Sequence, residues 1–258
     1  MSKYYMEYQI LKDRPGLLGD VASLIGMLKL NIQTISSIEN HRRGFLLDYN
    51  SREQLTSLYT ALEEVNDLEL KIFDQPTQLD LLALKHGKRI KQVNDNPPTY
   101  FFKRKELDQL IDFLSEKLEE DNNLLIGFRG SPRIGKTETA IAASVHANKQ
   151  WAIISSTLFR KIARTNINPD LLENGTILLI DAITTFYRSF PEHIKFAKNI
   201  ISKPIPRIIE HPDVLVKETD MELDRFDLII ELSSSENDEQ GEEENKIKKR
   251  GFYSFDIS

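Results

Sequence analysis

The sequence predicts an α/β protein in two parts: a small unit of β-α-β-β-α-β order, then a mainly parallel sheet with flanking helices. Three observations carry this. Residues 4–74 switch between strand-like and helix-like apolar spacing in that order. Residues 122–232 alternate short apolar runs with helical segments, the pattern of a parallel sheet covered on both faces. Inside the second part, a glycine-bounded loop at Gly130–Thr137 separates an apolar strand from a helix.

Composition sets the outer limits. The chain has 258 residues, of which 40% are hydrophobic and 29% charged, enough apolar material for a packed core. Its formal net charge is -6, which argues against nonspecific nucleic-acid binding. It contains no cysteine, so disulfides, thiolate chemistry and cysteine-ligated zinc are excluded. The residues from Met1 to Met6 do not resemble a signal peptide, and no stretch reaches the roughly 20 apolar residues of a membrane helix. A cytoplasmic location is the expectation, with no membrane partner.

In the first part, Tyr4–Leu11 reads as a strand and the turn at Asp13–Gly16 follows it. Leu17, Leu18, Val21, Leu24, Ile25 and Leu28 then recur at helical spacing. Asn31–Ile38 and Gly44–Tyr49 read as strands joined by a polar turn. Ser51 caps a helix whose apolar face is Leu55, Leu58, Tyr59 and Leu62, and Leu68–Phe73 alternates as a half-buried strand. This is the ferredoxin-like split arrangement.

The run Asp13 to Ala22, with Pro15-Gly16-Leu17-Leu18 at its centre, and then Leu30-Asn31-Ile32, resembles an ACT domain over about residues 1–75. The resemblance implies a small effector, usually an amino acid, held between paired domains. The matching positions are Asp13, Gly16, Leu17, Leu18, Asn31 and Ile32, and a homodimer through this domain is implied. A dimerising module with no ligand is the alternative, with Gly16 serving only the turn and Asn31 only the strand entry.

Residues 76–121 read as a connector. A basic stretch at Lys85–Lys91 precedes the breaker Asn94–Pro98, and Arg104–Glu120 is an amphipathic helix with Leu107, Leu110, Ile111, Leu114 and Leu118 on one face. Beyond it, Leu124–Phe128 is a strand and Glu138–Asn148 a helix with Ile141, Ala142 and Val145 on its apolar face. Trp151–Ile154, Ile177–Ile180 and Phe226–Leu232 are strands, and Leu158–Arg164 and Pro191–Ser202 helices. The acidic residues 233–245 read as disordered, and Phe252–Ile257 as an edge strand returning to Phe226–Leu232.

The loop Gly130-Ser131-Pro132-Arg133-Ile134-Gly135-Lys136-Thr137 fits G-x-x-x-x-G-K-[ST] in full, a Walker A sequence. Glycine permits the backbone to curl so that N–H groups face a phosphate. Lys136 supplies charge to the β and γ phosphates, the Thr137 hydroxyl suits Mg²⁺, and the helix start at Glu138 adds its dipole. At average composition the pattern arises by accident in about 1% of chains this long. The run from Ile177 to Ile180 ending at Asp181 reads as a Walker B strand, with Asp181 directed to Mg²⁺. The expected nucleotide-binding set is therefore residues 130–138, and the metal set Thr137 and Asp181.

Residue 182 is Ala, where many ATPases of this kind place a water-polarising Glu. Glu138, Thr184, Thr185, Glu210 and His211 are candidate bases, though each type is more often solvated or capping. Arg129 and Arg133 sit at the loop, and Arg188, Arg207 and Arg225 are candidates to reach a γ-phosphate, with an ordinary surface role as the alternative.

Three functions fit: an NTPase set by ligand binding at the ACT-like unit, a regulator that binds ATP·Mg²⁺ with negligible turnover, and a small-molecule phosphotransferase. In the first, the Arg104–Glu120 helix carries the change to the nucleotide site. No N-K-x-D motif is present, which favours adenine over guanine. The basic clusters at 85–91 and 103–105 sit in no recognisable nucleic-acid reading motif. An ACT-like domain joined to a P-loop NTPase-like domain at this length also resembles an uncharacterised protein family of bacilli, a resemblance that implies organisation and host but no substrate.

Overall fold

A computed structural model describes residues 2–154, 176–186, 194, 198–199, 201–219 and 221–234. The chain divides into two compact units at Ile90 and Lys91.

In the first unit, β1 (Ser2–Ile10), α1 (Leu17–Met27), β2 (Asn31–Ile38), β3 (Arg42–Tyr49), α2 (Arg52–Glu63) and β4 (Leu68–Asp74) follow one another along the chain. Their sheet has the order β2-β3-β1-β4, and every pairing is antiparallel. One face packs Met6, Tyr8, Phe45 and Leu47 against Val21 and Ile25 of α1 and Leu55, Leu58 and Leu62 of α2. The Ser51–Gln54 capping box starts α2 as its sequence requires. Tyr59, expected on the buried face of α2, is 40% exposed. It lies one residue round from Leu58 and meets Phe73 edge-on.

The stretch 76–121 is not a connector. A third helix, α3 (Gln78–His86), belongs to the first unit and brings Leu84 onto Tyr5 and Leu46, on the sheet face opposite α1 and α2. Thr77 and Asp80 form a reciprocal cap at its start, and Gly87 ends it in the left-handed region at φ 67°. Arg89 then reaches back to Glu7 and Asp80, at 2.5 and 2.8 Å. Glu7 is fully buried and also accepts from Tyr5 at 2.6 Å and Arg42 at 3.0 Å. A buried carboxylate needs such partners.

The second unit holds β5 (Lys91–Val93), β6 (Thr99–Lys103), α4 (Leu107–Glu120), β7 (Leu125–Gly130), α5 (Lys136–His146), β8 (Trp151–Ile154), β9 (Ile177–Asp181), α6 (Ala182–Phe186), β10 (Arg207–Glu210), α7 (Pro212–Thr219) and β11 (Leu228–Ser233). The sheet order is β5-β6-β11-β7-β10-β9-β8, parallel throughout except for the β5–β6 pair. Its central strands are continuous apolar runs such as Ile177–Ile180, as a sheet buried on both faces requires.

Further expectations are corrected here. On α5 the buried face is Thr139, Ala140, Ala143 and Ser144, and Val145 is 62% exposed. Small side chains allow that helix to sit close against its neighbours, and the Ser144 hydroxyl is satisfied by Ala140 O at 2.7 Å. β11 has β6 on one side and β7 on the other, and the strand expected at Phe252–Ile257 lies outside the described residues. Ser233 is the last residue of β11 rather than the first of a disordered tail. The helix expected at Leu158–Arg164, most of that at Pro191–Ser202, and Arg188 lie outside the described residues.

Candidate functional site

Parallel strands set side by side present all their C-terminal ends on one edge, and helices that follow them start there. β7 ends at Gly130, the loop follows, and α5 begins at Lys136. Gly130 has φ 143°, and a Cβ there would meet Leu232 O at 2.6 Å. Gly135 has φ 112°, and Arg133 also lies in the left-handed region at φ 61°. Ser131, Pro132 and Arg133 are exposed, while Ile134 is buried and pins the loop to the core.

The Lys136 amine folds back into the loop, donating to Gly130 O at 2.9 Å and Ser131 O at 3.0 Å. Burial pushes its pKa down; Glu210, Asp181 and Glu138 oppose this. A cation held by carbonyl dipoles inside a glycine-bounded curl is positioned for an anion entering the same space.

β10 lies between β7 and β9, so Glu210 is level with Phe128 on one side and with Asp181 on the other. The Thr137 hydroxyl donates to Glu210 Oε1. Burial pushes the Glu210 carboxyl up, the Thr137 hydrogen bond and Lys136 pull it down, and Asp181 and Glu138 raise it again; the net direction is upward. Asp181 Oδ1 accepts from the backbone N–H of Ile183 at 2.9 Å and Thr184 at 3.4 Å, capping α6. Next to Glu210, His211 sits at φ 58°, donates its N–H to Phe128 O at 3.0 Å, and has its pKa pushed down by burial and by Lys136.

Residues 130–138, Asp181 and Glu210 thus share one edge of the sheet. Thr184 lies in the first turn of α6, its hydroxyl donating to Asp181 O at 3.3 Å. Ala182 is fully buried. Arg129 is held by Asp213 through two contacts of 2.9 and 2.7 Å. Arg207 and Arg225 are not candidates for a γ-phosphate contact. Arg207 begins β10, and both line a hollow of about 1190 Å³ with Leu125 and Asp227, at the sheet's opposite edge. There Arg207 donates to the carbonyls of Ile201, Lys203 and Asn123, and Asp227 and Asp121 also favour its charge against the cost of burial.

Nothing local in the sequence sets Glu210 apart from the other candidate bases, because the strand that carries it is only four residues long. Its run of Ile208 and Ile209 between Arg207 and Glu210, following Pro204 and Pro206, was the available signal.

Thr137, Asp181 and Glu210 offer hard oxygen donors of the kind Mg²⁺ takes. Among the described residues, no group of three or more acidic or histidine side chains could hold a metal ion by itself. Phosphate oxygens from a nucleotide would have to complete the shell, as is usual for Mg²⁺.

In the first unit, Asp13, Gly16, Leu17 and Leu18 line a cavity of about 190 Å³ together with Tyr8, Ile10, Arg14 and Arg43. Gly16 precedes α1 at φ 89°. Asn31 and Ile32 do not join this cavity. Asn31 pairs with Asp48 in the sheet and donates to its carboxylate at 3.1 Å, whereas the cavity's Arg43 lies at the other end of β3.

A family described as a protein of unknown function (DUF3388) matches residues 70–255. The chain belongs to this family. It is also 37% identical over 259 residues to the "Uncharacterized protein YmfK" of Bacillus subtilis (strain 168), a match covering 99% of this chain and 96% of that protein. Among solved structures, a phospho-2-dehydro-3-deoxyheptonate aldolase from Thermotoga maritima aligns at 15% identity over 81% of this chain and 69% of its own, with a TM-score of 0.22. That score is too low to carry an argument about fold or function. Among the described residues, no helix is long and apolar enough to cross a membrane.

Proposed function

We propose that the second unit of this DUF3388 protein binds ATP·Mg²⁺ at residues 130–138 and turns it over as an NTPase. The reading rests on one observation above the others. The Lys136 amine points into the loop formed by Gly130–Gly135, at the C-terminal edge of a parallel sheet, with Thr137 and Asp181 on the same edge. In this reading the backbone N–H groups and Lys136 hold the β and γ phosphates, and Thr137 and Asp181 hold Mg²⁺. The ion would supply charge neutralisation at the phosphates.

The first unit is proposed as an ACT-type sensor for an amino acid, with Asp13, Gly16, Leu17 and Leu18 forming the effector cavity. Arg14 and Arg43 give that cavity cationic groups suited to a carboxylate. A homodimer is proposed through pairing of two copies along β2, the edge strand of its sheet, where Ile35 is 41% exposed. Effector binding then changes the affinity or turnover at the nucleotide site. A cytoplasmic setting follows from the need for ATP.

A second reading, a nucleotide-binding regulator with negligible hydrolysis, is favoured by the buried Ala182 beside Asp181. One experiment tests both: calorimetric titration with ATP·Mg²⁺ and GTP·Mg²⁺, with and without each of the twenty amino acids, followed by phosphate release. Absence of any heat or displacement with either nucleotide overturns the nucleotide assignment. Tight binding without phosphate release selects the regulator.

A further inference from the structure

The sheet edge that carries the loop has no carboxylate after Asp181, because Ala182 occupies that place and is fully buried. A carboxylate is nonetheless present one strand away. Glu210 ends β10, which is inserted between the strand leading into the loop and the strand ending at Asp181. It is level with Asp181, and its Oε1 accepts the hydroxyl hydrogen of Thr137, the residue directly after Lys136.

Resting on the nucleotide reading above, we propose that Glu210 is the catalytic general base for hydrolysis of the bound nucleoside triphosphate. In the structure its carboxylate accepts from the Thr137 hydroxyl. Once the Thr137 hydroxyl serves the cation of a bound nucleotide, that hydrogen bond opens and the Glu210 carboxylate is free to accept from a water.

The step balances. Glu210 takes one proton from the water as its oxygen forms a bond to the γ-phosphorus. The bond from that phosphorus to the β,γ-bridging oxygen breaks, and its electron pair leaves with the nucleoside diphosphate. The proton on Glu210 then passes to solvent, and inorganic phosphate departs.

Position decides for Glu210 over the other candidates. Thr184 has no basic group, and its N–H and hydroxyl both donate to Asp181 at the start of α6. Glu138 is exposed on the first turn of α5. His211 directs its backbone N–H to Phe128 O at 3.0 Å, whereas the Glu210 carboxylate itself meets the Thr137 hydroxyl. The groups around Glu210 are mixed in sign: Lys136 and Glu138 from α5, and Asp181 from β9.

The test compares wild type with Glu210→Gln, which keeps the size of the side chain and an oxygen to accept from Thr137. Two quantities are measured at saturating Mg²⁺: affinity for a non-hydrolysable ATP analogue, and single-turnover hydrolysis of ATP. The expected result is unchanged analogue affinity with hydrolysis reduced about 10²–10⁴-fold, the usual contribution of a positioned base. Equal hydrolysis by the two proteins overturns the role of Glu210 and leaves the nucleotide reading standing. So does a wild type that binds the analogue without turning ATP over, or a variant that needs a much higher Mg²⁺ concentration to reach saturation and then hydrolyses ATP at the wild-type rate, since Glu210 is then a cation ligand. Failure of both proteins to bind any nucleotide overturns the nucleotide reading itself.

Discussion

The Thr137 hydroxyl donates to the Glu210 carboxylate across two neighbouring elements, the first turn of α5 and the last residue of β10. This single bond links the loop's own sequence to a carboxylate that no local motif marks. It also places a buried acid beside Asp181 and Glu138, an arrangement that works against stability in the ligand-free protein.

Replacement of Glu210 by Gln is therefore expected to stabilise the apo protein near neutral pH. The folded-state pKa of Glu210 is raised above its ordinary value of 4.5. Its favourable contribution is complete below that value and is lost as pH climbs through the raised one. Urea denaturation at pH 7 should show a higher midpoint for the variant, with the gap closing toward pH 4.

Removal of the loop lysine gives the simplest functional test. Lys136→Ala should weaken ATP·Mg²⁺ binding by about a hundredfold or more, consistent with losing a charge-assisted contact of roughly 3 kcal/mol. Fluorescent-nucleotide titration reads this directly, with circular dichroism as the check that the unit remains folded.

Gly130→Ala should cost about 1–3 kcal/mol, the usual penalty for a side chain forced into a rare backbone region. The new methyl group would lie 2.6 Å from Leu232 O, which belongs to the fixed backbone of β11. The expected readout is a lower urea midpoint together with weakened nucleotide retention.

Arg89→Ala should destabilise the first unit by about 3–5 kcal/mol, because it strands a buried carboxylate. Burial alone would raise the pKa of Glu7, but hydrogen bonds from Arg89, Tyr5 and Arg42 outweigh it and hold the carboxyl below its ordinary value. That stabilisation is present above the ordinary value and is lost as pH falls through the depressed one. Hydrogen exchange on β1 and α3 should accelerate in the variant, and the wild type's advantage should shrink in acid.

Ile35→Lys tests the proposed dimer. A charged lysine on the β2 edge opposes strand addition by a second copy. Sedimentation equilibrium should show self-association weakened about tenfold or more, at about 1.4 kcal/mol per tenfold. An unchanged mass distribution would argue against pairing through this edge.

The sequence made some parts of this architecture easy to read. β2 falls at Asn31–Ile38 as expected, and the Ser51 cap and the Lys136 loop are local signals whose meaning survives without tertiary context. α3 is harder to read although Thr77, Asp80 and Gly87 carry the start and stop chemistry of a helix, because the basic stretch Lys85–Lys91 that overlaps its end has the composition of a connector. β6 and β10 were missed for a different reason. They are short, at Thr99–Lys103 and Arg207–Glu210, and become strands by pairing with segments far away in sequence. Glu210 inherits that obscurity, since its importance comes from what lies beside β10.

The central placement of β11 has a consequence for biosynthesis. Leu228–Ser233 is the last described strand to leave the ribosome, yet it fills the gap between β6 and β7, and its Leu232 carbonyl packs behind Gly130. The first unit has all its strands by Asp74 and can close while translation continues. The second unit must wait for nearly the whole chain, so a ribosome stalled before residue 228 releases a product whose Gly130–Thr137 loop lacks its supporting neighbour.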